Sequence, residues 1–268
     1  MKVSLSCLQK DEVLEKVDEI IVPFVETNDL LELVEKYPNK DFVIDLPKGL
    51  TLDYRSIAMC ASRLRRGTLY VRIHDLNPYL ALAKCREHDL KFFWAGAAKN
   101  FYELRALKKL GVSYVYVEAP LFFEMDEVKK VGIPLRLIPN RCYDDAIPRD
   151  NGLHGCWVRP EKLDLYEPYA SVLEFYSDGP VQELAFHRIY TKDRAWPGDM
   201  GMLYYGFNLH MDNQFVYEGL DEMRLNCGQK CETNKPYCLM CDKVRRFEKI
   251  GREWAEEAVK RQEQIIPN

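Results

Sequence analysis

The sequence predicts a (β/α)8 TIM-like barrel with a small C-terminal cysteine-rich, metal-binding appendage. Three observations lead to this prediction: short β-branched or aromatic runs alternate with amphipathic stretches, the runs number eight, and four cysteines lie close together near the C-terminal end. Regular alternation of strand and helix favours a parallel sheet with right-handed crossovers, and eight such units close into a barrel. Such barrels take about 250 residues, so 268 residues fit one barrel with a tail.

Eight segments have the composition of strands. They are residues 3–7, 20–25, 42–46, 69–74, 90–95, 114–118, 135–139 and 171–176. Six stretches between them carry apolar residues at a spacing of three to four, which indicates amphipathic helices. These are residues 11–18, 29–37, 54–66, 78–88, 101–110 and 124–131. An open doubly wound sheet is the alternative, but no Gly-rich turn follows the first strand to support a nucleotide-binding version of it.

The clearest helix signal lies at residues 101–110. Asn100 can cap the start of this helix, Leu104 and Leu107 lie near one face of it, and Gly111 suits the position after its end. A strand pattern follows at once, as the alternation requires.

The alternation breaks after the seventh strand, where residues 140–168 contain three prolines and two glycines. A loop of this length inside a compact domain is usually functional or an insertion. The eighth strand and a helix at 181–190 complete the barrel, which we assign to residues 1–192. Residues 193–268 form the appendage, which ends in a charged helix at 243–264.

The composition indicates which classes of protein this chain belongs to and which partners it is not expected to bind. Hydrophobic residues make up 47% and charged residues 30% of the chain, which is typical of a globular protein. The net charge of −4 gives no broad basic field, so nucleic acid is not an expected partner, although a local basic patch would be hidden in this sum. The N-terminal segment lacks the apolar core of a signal peptide, and no apolar run reaches the ~20 residues of a membrane span. We therefore expect a cytoplasmic protein with no membrane partner.

The strongest chemical signal is a group of four cysteines. They are separated by three, six and two residues and are Cys227, Cys231, Cys238 and Cys241. Close pairs of thiolates can converge on one ion, and zinc favours tetrahedral thiolate ligation. A [4Fe-4S] cluster uses the same ligands and is the alternative, but the spacing lacks the bacterial ferredoxin pattern. We expect zinc that stabilises the tail.

The remaining cysteines carry weaker signals. Cys142 and Cys156 bracket the long loop, and their role stays open between ligation and simple burial. Cys60 and Cys85 lie in predicted helices and are interpreted as core residues.

Barrel enzymes place their chemistry at the carboxyl ends of the strands, where the loops converge on one pocket. The side chains expected to be catalytic there are His74, Asp45, Glu118 and Glu174. Those expected to bind substrate are Arg72, Arg141, Trp157 and Arg159. An imidazole beside a carboxylate suits acid-base chemistry, and arginine suits the binding of a carboxylate or phosphate. The alternatives are a hydrogen-bonded histidine at a strand end and solvated loop carboxylates.

Residues 96–140 carry the one family resemblance: a helix, a strand and a further strand precede the cysteine-bearing loop at Cys142. In this order, over about a third of the chain, the sequence resembles the peptidase U32 group. The resemblance implies a TIM barrel, often with an iron–sulfur cluster, and a part in the modification of RNA or quinone precursors. This chain departs from the group because its cysteines gather in the tail, so no catalytic residue is carried over.

Two hypotheses for function follow. The first is a TIM-barrel metalloprotein that acts as an enzyme on a small anionic or nucleotide-like substrate at the barrel mouth. The second is a non-catalytic barrel subunit of a larger assembly, which docks through the zinc-stabilised tail. The aromatic-rich stretch at 196–217 would then bind a protein partner. Packing of this stretch on the barrel itself is the alternative.

Overall fold

A computed structural model describes residues 1–6, 11–23, 27–46, 53–74, 78–138 and 159–175, together with Glu222 and Leu225. In this part of the chain, parallel strands alternate with helices. The strands are β1 (Lys2–Ser6), β2 (Glu19–Pro23), β3 (Asp41–Leu46), β4 (Leu69–Ile73), β5 (Lys91–Trp94), β6 (Ala97–Ala98), β7 (Tyr116–Val117), β8 (Leu135–Leu137) and β9 (Ala170–Phe175).

The helices follow the strands in turn. They are α1 (Asp11–Leu14), α2 (Thr27–Lys36), α3 (Tyr54–Ala61), α4 (Pro78–Glu87), α5 (Phe101–Leu110), α6 (Ala119–Phe122) and α7 (Met125–Val131), and a 3-10 helix (Pro160–Tyr166) precedes β9.

Backbone hydrogen bonds between neighbouring strands form a curled sheet whose two edges approach each other. Seven described strands pair in parallel in the order β5-β4-β3-β2-β1-β9-β8. At one edge, Val115 forms a bridge with Leu135 of β8. At the other edge, the Ser113 N–H donates to the Phe92 carbonyl at 2.8 Å, and β6, which follows β5 after two residues, pairs with β7. The segment around β7 thus connects both edges, and the fold is α/β and barrel-like.

Alternation along the strands divides the core into two layers. In β4, Tyr70 belongs to a cluster inside the curled sheet, whereas the next residue, Val71, packs between the sheet and the helices. The inner cluster comprises Ile21, Val43, Tyr70, Phe93, Tyr114, Tyr116, Ile138 and Val172. Each large apolar side chain that is fully buried contributes about 1.5–3 kcal/mol. Both layers therefore stabilise the curled sheet.

Aromatic rings occupy the interior towards the amino ends of the strands. The ring centroids of Tyr70 and Tyr114 lie 5.1 Å apart, and the Tyr114 hydroxyl donates to the Tyr70 hydroxyl at 3.3 Å. Phe93 packs edge-on against Tyr114 with centroids 5.9 Å apart. These rings fill part of the interior beside buried polar residues, and the Arg136 guanidinium lies over the Phe93 and Tyr114 rings.

The predicted helix at 101–110 is confirmed with both of its ends. Asn100 Oδ1 accepts a hydrogen bond from the Glu103 N–H at 3.0 Å, and Gly111 takes the left-handed conformation at φ 74° that ends the helix. Leu104 is completely buried. The cap, the apolar face and the terminal glycine agree here, so a short local pattern is sufficient to predict the element.

Two predicted helices are shorter than expected. The helix predicted at 54–66 ends at Ala61, because the Arg65 N–H donates to the Pro38 carbonyl instead of continuing the helix. The helix predicted at 11–18 ends at Leu14, because the Asp18 N–H already donates to the Val3 carbonyl of β1. In both cases a tertiary hydrogen bond replaces a helical one.

Several predictions fall outside the described residues. They are the helix at 181–190, the division at residue 193, the aromatic stretch at 196–217, the helix at 243–264 and the four clustered cysteines. Among the residues that are described, no helix has both the length and the apolar character that a membrane crossing requires.

Candidate active site at the carboxyl ends of the strands

A chain of polar side chains runs through the interior of the curled sheet. Its fully buried members come from five different strands and are Ser4, Glu19, Arg72, Arg136 and Glu174. Buried charges are stable only when they are paired and hydrogen-bonded. The contacts of Glu174 show how this pairing is achieved.

Glu174 lies at the centre of the chain. Its Oε1 accepts a hydrogen bond from Arg72 Nη2 at 2.5 Å. Its Oε2 accepts from Arg136 Nε at 2.9 Å and from the Tyr116 hydroxyl at 2.7 Å. One carboxylate thereby fixes two guanidinium groups.

Arg136 extends the network towards the strand starts. Its Nη1 donates to Glu19 Oε2 at 3.1 Å, and its Nη2 donates to Ser4 Oγ at 3.2 Å. Ser4 in turn donates to Glu19 Oε1 at 2.6 Å. The Arg136 guanidinium also lies 4.8 Å from the centroid of the Phe93 ring, which is a cation–π distance.

Arg72 extends the network towards the strand ends. Its Nη1 donates to Asp45 Oδ2 at 3.1 Å, while Asp45 Oδ1 contacts His74 Nε2 at 2.5 Å. The Arg72 side chain is 1% exposed, but those of Asp45 and His74 are 25% and 29% exposed. The network therefore begins in the buried interior and ends at an imidazole that solvent can reach.

Strand register explains why these residues meet. Asp45 of β3 is the direct partner of Arg72 in β4. His74 follows Arg72 by two residues, so alternation directs both side chains to the same face. Because the strands are parallel, these side chains meet at the carboxyl ends of the strands, where barrel enzymes carry their active sites.

The charges of the network shift the pKa values of its members. Burial alone would raise the pKa of Glu174, but Arg72 and Arg136 outweigh this effect and hold the pKa below its ordinary value. Burial likewise opposes the charged form of Asp45, but the hydrogen bond with His74 and the charge of Arg72 lower its pKa. Both groups are therefore carboxylates at neutral pH.

The carboxylate of Asp45 determines how His74 can act. A carboxylate can only accept, so Nε2 of His74 carries the hydrogen and Nδ1 of the neutral ring is the basic nitrogen. The Asp45 carboxylate also holds the ring in one orientation. This pair can take up a proton and return it, as a general acid-base group does.

Glu118, the other predicted catalytic carboxylate, lies at the end of β7 and precedes α6. Its N–H donates to the Ala98 carbonyl at 2.9 Å, and its Oε1 lies 3.7 Å from Nζ of Lys99. The Lys99 side chain is 67% exposed. Glu118 thus forms an ion pair at the strand ends.

The structure brings together four of the predicted site residues. The four are His74, Asp45, Arg72 and Glu174. Arg159, predicted to bind substrate, is buried at the start of the 3-10 helix, where its positive charge favours the ionised form of Glu222. Arg141 and Trp157 lie outside the described residues.

Three residues of the network, Arg136, Glu19 and Tyr116, were not predicted from the sequence. The signal was present, because Arg136 stands between Leu135 and Leu137 in a strand that is otherwise apolar. A charge at an inward position of a buried strand requires a buried partner. Glu19 at the start of β2 carries the same signal.

The cysteines of the described region behave as predicted. Cys60 and Cys85 are completely buried in α3 and α4 and are not bonded to another cysteine. Burial raises the pKa of the Cys85 thiol to about 12. Within the described residues, no group of three or more His, Cys, Asp or Glu side chains is arranged to hold a metal ion.

Solved structures of other proteins align with most of this chain. The 3-keto-L-gulonate-6-phosphate decarboxylase from Vibrio cholerae O1 biovar El Tor aligns with 73% of this chain and 99% of its own, at 16% identity and a TM-score of 0.45. The 3-hexulose-6-phosphate synthase from Salmonella typhimurium aligns with 72% of this chain and 100% of its own, at 14% identity and a TM-score of 0.41. No family model and no curated protein matches the sequence. These likenesses assign no activity to the chain.

Proposed function

We propose that this protein is an enzyme that moves a proton on a small anionic substrate at the carboxyl ends of the strands. His74 is the acid-base group, Asp45 orients it, and Arg72 fixes Asp45. The observation that carries this proposal is the partly exposed His74–Asp45 pair at 2.5 Å, connected to a buried network.

The position of His74 in the network supports this assignment. The network joins three carboxylates, those of Glu19, Asp45 and Glu174, to two guanidinium groups. His74 contacts Asp45, and its side chain is 29% exposed, so a substrate can reach the ring.

The anionic substrate class rests on cations near the strand ends. Arg72 is already bound to two carboxylates, so it orients Asp45 and is not the group that first meets an anion. Lys99 is exposed and lies at the same end of the sheet, and Arg141 follows β8 in the sequence. We propose that these two side chains bind the anionic group.

Deuterium exchange tests this function without knowledge of the complete reaction. The protein is incubated in D2O with small phosphorylated or carboxylated ketones, which carry acidic C–H bonds, and deuterium incorporation is followed by mass spectrometry. We expect exchange in at least one compound with wild-type protein. His74→Gln should lower the rate by about 10²–10⁴.

We also propose that the clustered cysteines, Cys227, Cys231, Cys238 and Cys241, bind one zinc ion that stabilises the C-terminal tail. Their spacing supports this proposal. Metal analysis of protein purified without added metal should give one equivalent of zinc in a colourless solution. Several irons with acid-labile sulfide would show that the cysteines hold a [4Fe-4S] cluster instead of zinc. Protein without any metal would refute the site.

A further inference from the structure

A cavity of about 150 Å³ lies between the sheet and the helices α4 and α5. Every described residue that lines it has an apolar side chain. Its walls include Ile73, Leu82, Phe92, Trp94, Leu107 and Leu110. Protein interiors are normally packed to the density of organic crystals, so a space of this size is suited to an apolar ligand.

An open cleft of about 410 Å³ adjoins this cavity near the carboxyl ends of the same two helices. Phe92 and Leu110 line both spaces. The charged residues that line the cleft are Arg86, Asp89, Lys91 and Lys109. The Arg86 guanidinium donates to the Leu110 carbonyl at 2.8 Å, which holds it at the boundary between the two spaces.

We infer that the cavity and the cleft together form a binding site for a carboxylate with an apolar tail of about five to six carbon atoms. The tail enters the apolar cavity, and the carboxylate lies in the cleft near Lys109 and Arg86. The site is formed by α4, α5 and β5, outside the polar network that contains His74. It does not depend on the proposed function.

The size of the cavity supports the apolar tail of the ligand, and the charge of the cleft supports its carboxylate. An apolar cavity of about 150 Å³ accepts a molecule of the size of benzene, which has six carbon atoms. The cleft is lined by the cationic residues Arg86 and Lys109 and by one acidic residue, Asp89, while the Lys91 ammonium lies over the Tyr70 ring. The carboxyl ends of α4 and α5 point their partial negative charge to this region, which reduces but does not cancel the positive charge. The carboxylate should therefore contribute less to affinity than the tail.

A series of straight-chain carboxylates tests the inference in the intact wild-type protein. Acetate, butanoate, hexanoate and octanoate are titrated by calorimetry, with methyl NMR of the leucines as a second readout. Each methylene that enters the cavity should tighten binding about fourfold, so hexanoate should bind about fifteenfold more tightly than butanoate. The gain should diminish from hexanoate to octanoate, because the cavity is then full.

Two variants test separately whether the cavity binds the apolar tail and whether the cleft binds the carboxylate. Leu107→Trp fills the cavity and should weaken hexanoate binding by more than about tenfold. Lys109→Gln should weaken it about two- to fivefold and leave the binding of hexanol unchanged. Arg105→Gln removes a charge from an exposed position of α5 that does not line the cleft, and it serves as the matched control.

Three results would overturn the inference. They are the absence of hexanoate binding in the millimolar range, an affinity that does not depend on chain length, and hexanol binding as tight as that of hexanoate. Each is measured on wild-type protein, so the test stands even if Leu107→Trp fails to fold.

Discussion

Glu174→Gln is expected to lower the free energy of unfolding by about 3–5 kcal/mol, the range for removing one partner of a buried ion pair. Glu174 is completely buried and fixes both Arg72 and Arg136. Glutamine keeps the shape but removes the charge, so two buried guanidinium groups lose their shared partner. Urea unfolding monitored by circular dichroism measures the loss.

Two further variants show whether charge is the cause. Glu127→Gln removes a carboxylate that is 55% exposed and pairs with Lys130, so its effect should stay below about 1 kcal/mol. Adding Arg72→Met to Glu174→Gln should restore part of the lost stability, because one of the two guanidinium groups that lost the Glu174 charge is then removed as well. Equal losses for Glu174→Gln and Glu127→Gln would contradict the buried network.

The lowered pKa of Glu174 predicts how the stability of the Glu174→Gln variant depends on pH. The ordinary pKa of this group is 4.5, and its value in the folded chain is lower. Its contribution to stability is therefore complete above about pH 4.5 and is lost as the pH falls through the pKa of the folded state. Glu174→Gln should lack this part of the acid destabilisation, so its unfolding free energy should depend less on pH below that value.

Asp45→Asn is expected to slow the exchange reaction by about 10²–10⁴. The asparagine amide cannot replace a charge that accepts from both His74 and Arg72, so the imidazole loses its orientation and its counter-charge. The Asp45 side chain is 25% exposed, and its loss should destabilise the fold less than Glu174→Gln does. The initial rate and the unfolding free energy are measured on the same preparation.

Asp29→Asn provides the matched control for this variant, because Asp29 is exposed on α2. Its exchange rate should equal that of wild type. A folded Asp45→Asn variant with the wild-type rate would show that Asp45 does not position a catalytic histidine.

The strands and the helix at 101–110 could be predicted because their signals are local. Alternating apolar residues, the cap at Asn100 and the glycine at 111 lie within a few positions of each other. Helix ends at Ala61 and Leu14 could not be predicted, because they depend on hydrogen bonds to residues distant in the sequence, Pro38 and Val3. Tertiary contacts outweigh the helical pattern at these points.

The exposed end of the site was predicted more completely than its buried part. Asp45 and His74 stand at strand ends, where the rule for barrel enzymes directs attention. Arg136 and Glu19 lie deeper, and their pairing spans 117 residues of sequence. Only closure of the sheet brings such residues together, so their partners could not be predicted from spacing.

The decisive measurement for the role of His74 is the deuterium exchange rate in wild type, His74→Gln and His88→Gln. His88 follows the end of α4 and is not part of the polar network. The proposed function predicts exchange in wild type and in His88→Gln at equal rates, and a loss of about 10²–10⁴ in His74→Gln. Exchange that persists in a folded His74→Gln variant at the wild-type rate would contradict it.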